Sequence, residues 1–169
     1  TSAWRVARAT IRRKDTGQEW KFSGDQWIYT WYGWTSMEPV PVVTYRVEAY
    51  TNNFPDAGFD GRLLVTMHGE SGDTEEVEVC SGSTSYLRPG ATDCFYVSAH
   101  SVGLLKAISV RLEATGSEGK WGCGYVDVTN WTTDARALFE HQAYIAASGA
   151  PTRIAKTTAE VEYEVTLYT

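Results

Sequence analysis

Apolar and polar residues alternate along most of the chain. The segments YRVEAYT (45–51), EEVEV (75–79), DCFYVSA (93–99) and AISVRLE (107–113) each place apolar residues at every second position. A period of two is typical of β-strands that bury one face. Turn-forming residues separate these segments, so the pattern predicts an all-β protein of short antiparallel strands. A β-sandwich is the architecture that this spacing favours.

Two parts of the sequence return at nearly the same distance. Residues 4–28 align without a gap on residues 121–145, an offset of 117 (121 − 4). The segment YRVEAYT at 45–51 returns as YEVTLYT at 163–169, an offset of 118 (163 − 45). Because the two matches agree in spacing, the chain is predicted to come from an array of repeated units.

The repeats divide the chain into five predicted parts. These are the C-terminal strands of a preceding unit at 1–30, a linker at 31–44, a nearly complete unit at 45–146, a second linker at 147–161 and the first strand of a following unit at 162–169. We expect residues 161–169 to pair with the N-terminal segment, because isolated strands expose unpaired backbone groups. We also expect Trp31 and Trp34 to pack between adjacent units.

Composition narrows the classes of function. The formal net charge of −6 argues against nucleic acid as a partner, because phosphate contacts need a basic surface. Cys80, Cys94 and Cys123 are an odd number without a CxxC motif, so we expect reduced thiols. The sequence has no nucleophile elbow, phosphate-binding loop or HExxH motif, and we therefore predict that the chain is not an enzyme.

Seven motifs follow one another between residues 45 and 145. In chain order they are YRVEAYT (45–51), AGFD (57–60), HGESGDT (68–74), RPGATDCF (88–95), VGLLKAISV (102–110), KWGCGYVDV (120–128) and FEHQAYI (139–145). Together these motifs resemble the PLAT domain, also called the lipoxygenase homology or LH2 domain. The chain departs from that pattern at Phe59, where threonine is usual, and at Pro89, which is an extra residue.

The resemblance implies both a fold and a set of roles. The implied fold is an antiparallel eight-stranded β-sandwich of the C2-like type, here flanked by strands from neighbouring repeats. Members of the family bind membranes or partner proteins, often with calcium, and long PLAT arrays occur in stereociliary and protist proteins. The repeat spacing therefore indicates a tandem PLAT array, with adjacent PLAT repeats as partners. We expect a cytoplasmic location, at the inner face of a membrane or in a ciliary or cytoskeletal structure.

The resemblance also implies a calcium site on the loops at one end of the sandwich. The residues expected to supply its oxygen ligands are Asn53, Asp56, Gly58, Asp60, Glu118 and Gly119. Calcium prefers carboxylate and carbonyl oxygens, which these residues carry. In the alternative interpretation, Asp56 and Asp60 only form hydrogen bonds within their own turn.

Three aromatic residues near these loops are candidates for contact with a membrane or a partner protein. They are Phe54, Phe59 and Trp121. Aromatic side chains on loop tips are suited to the boundary between water and lipid headgroups. Two alternatives stay open, in which Phe54 is a packing lid and Phe59 fills the rim of the core.

Two functions are consistent with these features. In the first, the chain is a non-catalytic membrane-targeting or lipid-binding module of a tandem PLAT array, assisted by calcium. In the second, it is a structural protein-docking module or scaffold in a multi-PLAT protein, without calcium or lipid. The repeat favours the second, because arrays build avidity from weak contacts, whereas the loop PDAGFD (55–60) favours the first.

Overall fold

The computed structural model describes residues 3–14, 19–29, 38–81, 85–115 and 119–158. All regular structure in these residues is β, in the following strands: β1 (Ala3–Arg12), β2 (Glu19–Tyr29), β3 (Glu38–Pro39), β4 (Val42–Thr51), β5 (Gly61–Gly69), β6 (Gly72–Asp73), β7 (Val77–Ser81), β8 (Thr92–His100), β9 (Leu105–Ala114), β10 (Lys120–Asn130), β11 (Arg136–Ala146) and β12 (Thr152–Ala155). Within the described ranges, no helix is long and apolar enough to cross a membrane.

Two antiparallel sheets form the central unit. One has the strand order β11-β10-β4-β8, and the other has the order β12-β9-β5, with β6 and β7 on the outer edge of β5. The buried faces of both sheets contribute to one hydrophobic cluster, which includes Tyr45, Leu63, Ile108 and Phe139. This arrangement confirms the predicted all-β antiparallel fold, and the alternating sequence pattern is what gives each sheet one buried face.

The predicted boundaries of the central unit need two corrections. The segment 147–161 was predicted to be a linker, but it contains β12, which pairs with β9 from Thr152↔Val110 to Ala155↔Ala107. At the other boundary, β4 begins at Val42 within the predicted linker 31–44. The predicted strand at 162–169 and the linker residues Trp31 and Trp34 lie outside the described residues, so the pairing expected between 161–169 and the N-terminal segment stays a prediction.

The hairpin β1–β2 has the same pairing as β10–β11. Each paired position lies 117 residues before its counterpart: Trp4↔Ile28 corresponds to Trp121↔Ile145, Arg8↔Ser23 to Tyr125↔Glu140, and Arg12↔Glu19 to Thr129↔Arg136. Both ladders are also interrupted at the same place, between Val6 and Arg8 in one and between Cys123 and Tyr125 in the other. The offset found in the sequence is therefore also an offset in backbone pairing.

The segments before and after the central unit form equivalent hydrogen bonds with these two hairpins. The Val40 N–H donates a hydrogen bond to the Lys21 carbonyl at 2.8 Å, and the Thr157 N–H donates to the Leu138 carbonyl at 2.7 Å. Residues 40 and 157 are again 117 apart, as are residues 21 and 138. The segment before the central unit is thus hydrogen-bonded to β2 at the position equivalent to that at which the segment after β12 is hydrogen-bonded to β11.

Candidate functional site at the loop end

The loop that follows β4 lies on the first residues of β10. The Asn52 N–H donates to the Gly122 carbonyl at 2.8 Å, and the Gly122 N–H donates to the Ala57 carbonyl at 2.8 Å. This close approach requires glycine, because a Cβ at position 122 would be 2.6 Å from the Ala57 Cβ. The loop 52–60 is therefore fixed on the sheet at one end of the sandwich, which we call the loop end.

Asp56, in this loop, is held by two side chains of the sheet. Lys120 Nζ, at the start of β10, donates to Asp56 Oδ2 at 2.7 Å, and the Tyr144 hydroxyl of β11 donates to Asp56 Oδ1 at 2.6 Å. The Lys120 ammonium also lies 3.9 Å from the centroid of the Tyr144 ring, a cation–π contact. Asp56, Lys120 and Tyr144 thus form one cluster that ties the loop to both strands.

These contacts change the pKa values of all three groups. The hydrogen bond from Lys120, followed by that from Tyr144, lowers the pKa of Asp56 below its ordinary value of 3.8. The bond to Asp56 raises the pKa of Lys120, and the corresponding bond raises the pKa of Tyr144. At neutral pH the cluster therefore consists of a carboxylate, an ammonium and a phenol.

Two of the three carboxylates predicted to bind calcium, Asp56 and Asp60, are paired with basic side chains of the chain itself. Both Asp56 oxygens accept hydrogen bonds within the cluster, and Asp60 Oδ1 lies 3.1 Å from Arg88 Nη2. Glu118 lies outside the described residues. Throughout the described ranges, no group of three or more His, Cys, Asp and Glu side chains is placed to hold a metal ion.

The other predicted ligands add little to such a site. The Gly119 carbonyl accepts a hydrogen bond from the Ala147 N–H at 2.7 Å, and Asn53 is exposed. Gly58 is half-buried, with the Pro89 ring 3.2 Å from the position of an added Cβ. Calcium takes six to eight oxygen ligands at short distance. The described residues, as they are arranged, therefore do not fit a calcium ion.

Phe59 and Trp121 do not reach the surface, which corrects the prediction that they contact a membrane or partner. Phe59 is 4% exposed and Trp121 is 0% exposed. The Phe59 ring lies in space that two glycines leave free, because a Cβ at Gly61 or Gly119 would come within 3.0 Å of it. Phe59 therefore fills the rim of the core, and Trp121 belongs to the core itself.

Phe54 is the predicted contact residue that remains accessible. Its side chain is 39% exposed and packs edge to face on Tyr144, with ring centroids 5.6 Å apart. Tyr144 is 40% exposed, and half of the Lys120 side chain is exposed. The loop end thus presents two aromatic rings beside an ammonium group.

Lys120 and Tyr144 were not among the residues predicted for this site. Lys120 is the last residue of the loop TGSEGK (115–120), and Tyr144 occupies a motif position that is tryptophan in the preceding repeat, Trp27. The aromatic position was therefore visible in the repeat. The pairing Gly122↔Tyr144, which places the ring beside the loop, depends on the register of β10 with β11.

A second cluster, on the other sheet, contains the three side chains of a serine hydrolase triad. His68 Nε2 lies 2.8 Å from Ser109 Oγ, and His68 Nδ1 lies 2.8 Å from Asp73 Oδ1 without hydrogen-bond alignment. Ser109 lies within β9, between β5 and β12, so the surrounding backbone N–H groups belong to strand ladders. An oxyanion hole needs free, convergent N–H donors, and the described residues around Ser109 do not supply them.

The chain is similar to proteins with lipoxygenase homology domains. It is 28% identical over 128 residues to "Lipoxygenase homology domain-containing protein 1" of Mus musculus, a match that covers 75% of this chain and 6% of the relative. It is 24% identical over 110 residues to "Polycystin-1-like protein 3" of Mus musculus, covering 64% of this chain and 5% of the relative. The chain thus spans only a small part of the length of these relatives.

Solved structures share the fold at lower sequence identity. Coral 8R-lipoxygenase, reported with calcium activation via a C2-like domain, has a TM-score of 0.58 and 18% identity, with 67% of this chain and 17% of that chain covered. A calcium-dependent 11R-lipoxygenase has a TM-score of 0.55 and 17% identity, with coverage of 68% and 17%. The profile of the PLAT/LH2 domain matches residues 45–154. Since that match covers most of the sequence, the chain belongs to the PLAT/LH2 domain family.

Proposed function

We propose that the chain is a non-catalytic membrane-binding module whose loop end enters the headgroup region of an anionic lipid surface. The observation that carries this proposal is the exposed pair Phe54 and Tyr144 beside the Lys120 ammonium. Aromatic rings suit the boundary between water and lipid, and an ammonium attracts lipid phosphate.

The chemistry elsewhere in the chain supports a non-catalytic role. Burial raises the pKa of Cys123 to about 12, so its thiol stays protonated and is a poor nucleophile. Cys80 is buried and Cys94 is exposed, and neither forms a disulfide. Cysteines without disulfides favour a reducing compartment, and we propose that the module acts at the cytoplasmic face of its membrane.

The binding of one loop end is weak by itself. Because only 39% of the Phe54 side chain is exposed, its burial in lipid contributes at most ~1 kcal/mol, and the charge of one lysine near an anionic surface contributes ~1 kcal/mol. Several units in one chain multiply such contacts. The equivalent pairing of β1–β2 and β10–β11 supports the proposal that this chain carries the closing hairpin of one PLAT unit before a nearly complete second unit.

Vesicle co-sedimentation tests this function directly. The purified chain is mixed with phosphatidylcholine vesicles that contain about one third phosphatidylserine, and the partition coefficient is compared with that of Phe54→Ser. We expect the substitution to weaken binding about three- to fivefold, the equivalent of ~0.7–1 kcal/mol. Leu104→Ser, at the opposite end of the sandwich, removes another exposed apolar side chain and should leave binding unchanged.

The second candidate is a scaffold module that docks proteins and binds neither lipid nor calcium. The repeated hairpin register favours it, because a regular array places many equivalent surfaces along one chain. The vesicle experiment separates the two functions. If the wild-type chain fails to sediment with anionic vesicles, the membrane proposal is wrong and the scaffold function takes its place.

A further inference from the structure

We infer that Lys120 takes the place of a bound cation at the loop end, so that the module contacts lipid phosphate without calcium. This inference rests on the membrane function proposed above. Its basis is the position of the Lys120 ammonium, 2.7 Å from Asp56 Oδ2 and 3.9 Å from the Tyr144 ring centroid. One positive charge thus joins the loop 52–60 to β10 and β11.

The same ammonium disfavours calcium at Asp56. A calcium ion would bind a carboxylate oxygen at about 2.3–2.6 Å, whereas Lys120 Nζ already contacts Oδ2 and the Tyr144 hydroxyl contacts Oδ1. A divalent ion there would be repelled by the ammonium, and it would share each carboxylate oxygen with a donor that already uses one of its lone pairs. The neighbouring carboxylate, Asp60, is paired with Arg88 in the same manner. Both described carboxylates of this loop are therefore paired with a basic side chain of the protein.

The lysine is a feature of the central unit and is not shared by the preceding hairpin. The position 117 residues before Lys120 is Ala3, and the position 117 residues before Gly122 is Arg5. Ala3 begins β1 at the same ladder position at which Lys120 begins β10. The two hairpins therefore carry different residues at these positions.

Lys120 also keeps donors available for a ligand. An ammonium has three N–H donors, and the contacts with Asp56 and the Tyr144 ring leave half of the side chain exposed. A lipid phosphate supplies acceptor oxygens for the remaining donors. Because the Asp56 charge offsets that of Lys120, the pair as a whole is neutral, and removing either partner changes the net charge of the tip by one unit in opposite directions.

These charge changes give a test. For Asp56→Asn, a contact through calcium predicts weaker vesicle binding, whereas a contact through Lys120 predicts stronger binding. We would measure vesicle partitioning of the wild-type chain, Asp56→Asn and Lys120→Met, each with EGTA and with 1 mM calcium. If Lys120 is the contact, Asp56→Asn strengthens binding about fivefold and Lys120→Met weakens it about fivefold, the conversion of ~1 kcal/mol per charge. EGTA and calcium should give equal results. Asp134→Asn and Lys106→Met, both exposed and distant from the loop end, are the matched controls.

Weaker binding of Asp56→Asn, unchanged binding of Lys120→Met, or wild-type binding that requires calcium would each overturn the inference. Thermal unfolding of the wild type supplies a readout without lipid. An equal melting temperature with EGTA and calcium supports the inference, whereas a rise of several degrees with calcium contradicts it. If no vesicle binding occurs, the proposed function fails, and the unfolding measurement still tests the part of the inference that excludes calcium.

Discussion

The Trp121 indole N–H donates a hydrogen bond to Thr51 Oγ1 at 2.9 Å, and both residues are completely buried. Trp121 lies near the start of β10 and Thr51 ends β4, so this bond closes the core directly below the loop end. Thr51 also binds the segment before β8, since its N–H donates to the Ala91 carbonyl and its own carbonyl accepts from the Gly90 N–H. The buried tryptophan therefore supports the loop end from inside.

Replacing Thr51 should reveal this support. Thr51→Val keeps the shape of the side chain but leaves the buried indole N–H without an acceptor, which costs about 1–3 kcal/mol. Trp121→Ala should cost more, about 3–5 kcal/mol, because it also leaves a large cavity. Urea unfolding measures both, and Thr129→Val, half-buried on β10, is the control that should stay within about 0.5 kcal/mol of wild type. Equal stability of Thr51→Val and wild type would contradict the prediction.

Arg136 should stabilise the fold through the buried carboxylate of Asp127. The Asp127 side chain is 1% exposed, its Oδ2 accepts a hydrogen bond from Arg136 Nε at 2.6 Å, and its Oδ1 has no hydrogen-bond partner. Arg136→Ala removes the paired charge, and we expect a loss of about 1–2 kcal/mol, reduced from that of a fully buried pair because two thirds of the arginine is exposed.

A double-mutant cycle checks the mechanism of this loss. If the cost comes from the unpaired carboxylate, Asp127→Asn combined with Arg136→Ala should be less destabilised than the sum of the two single variants. Chemical denaturation of the four proteins gives the coupling. Strict additivity would mean that the two side chains act independently, contrary to the structure.

Acidification should weaken the contacts that hold the loop end, because it protonates Asp56. Lys120 and then Tyr144 lower the pKa of Asp56 below 3.8, so the ionised carboxylate is favoured in the folded state. The resulting stabilisation is fully present above the unfolded pKa and is lost as the pH falls through the lowered folded value. The difference in melting temperature between wild type and Asp56→Asn should therefore be constant from pH 7 to 5 and shrink below about pH 4. A difference that grows on acidification would have the wrong sign.

Period-two alternation was sufficient to predict the main strands and the all-β class, because one buried face per strand leaves a direct trace in the sequence. The strand β12 shows almost no such alternation. It has four residues, and Ile154 is its only buried side chain, so the alternation is too short to recognise. Its position is decided by pairing with β9, more than 40 residues earlier, and this long-range contact is invisible in the local pattern.

At the loop end, too, the local sequence was not sufficient to predict where single side chains lie. The sequence placed Phe54 and Phe59 in one loop but could not give their directions. Phe59 turns inward because Gly61 and Gly119 leave space for its ring, whereas Phe54 rests on Tyr144. These outcomes depend on which strands meet above the loop, and therefore on sheet register and not on local sequence.

The contact between the N-terminal hairpin and the central unit leads to the last prediction. Lys21 of β2 forms an ion pair with Glu75, which follows β6, and this pair lowers the pKa of Glu75. Lys21 is also the residue whose carbonyl accepts the Val40 N–H, so the ion pair lies where the chain enters the central unit. An exposed pair contributes at most about 1 kcal/mol, which is enough to change local opening without unfolding either part.

Charge reversal tests whether the ion pair between Lys21 and Glu75 holds the hairpin to the central unit. Glu75→Lys and Lys21→Glu each place like charges together, and amide hydrogen exchange in residues 19–29 should become up to about fivefold faster. The double reversal restores opposite charges and should return exchange to the wild-type rate. Glu70→Lys, an exposed change of the same charge on the turn between β5 and β6, is the control. If Glu75→Lys leaves exchange in the hairpin unchanged, the ion pair does not hold the hairpin to the central unit, and the backbone hydrogen bond at Val40 is left to hold it.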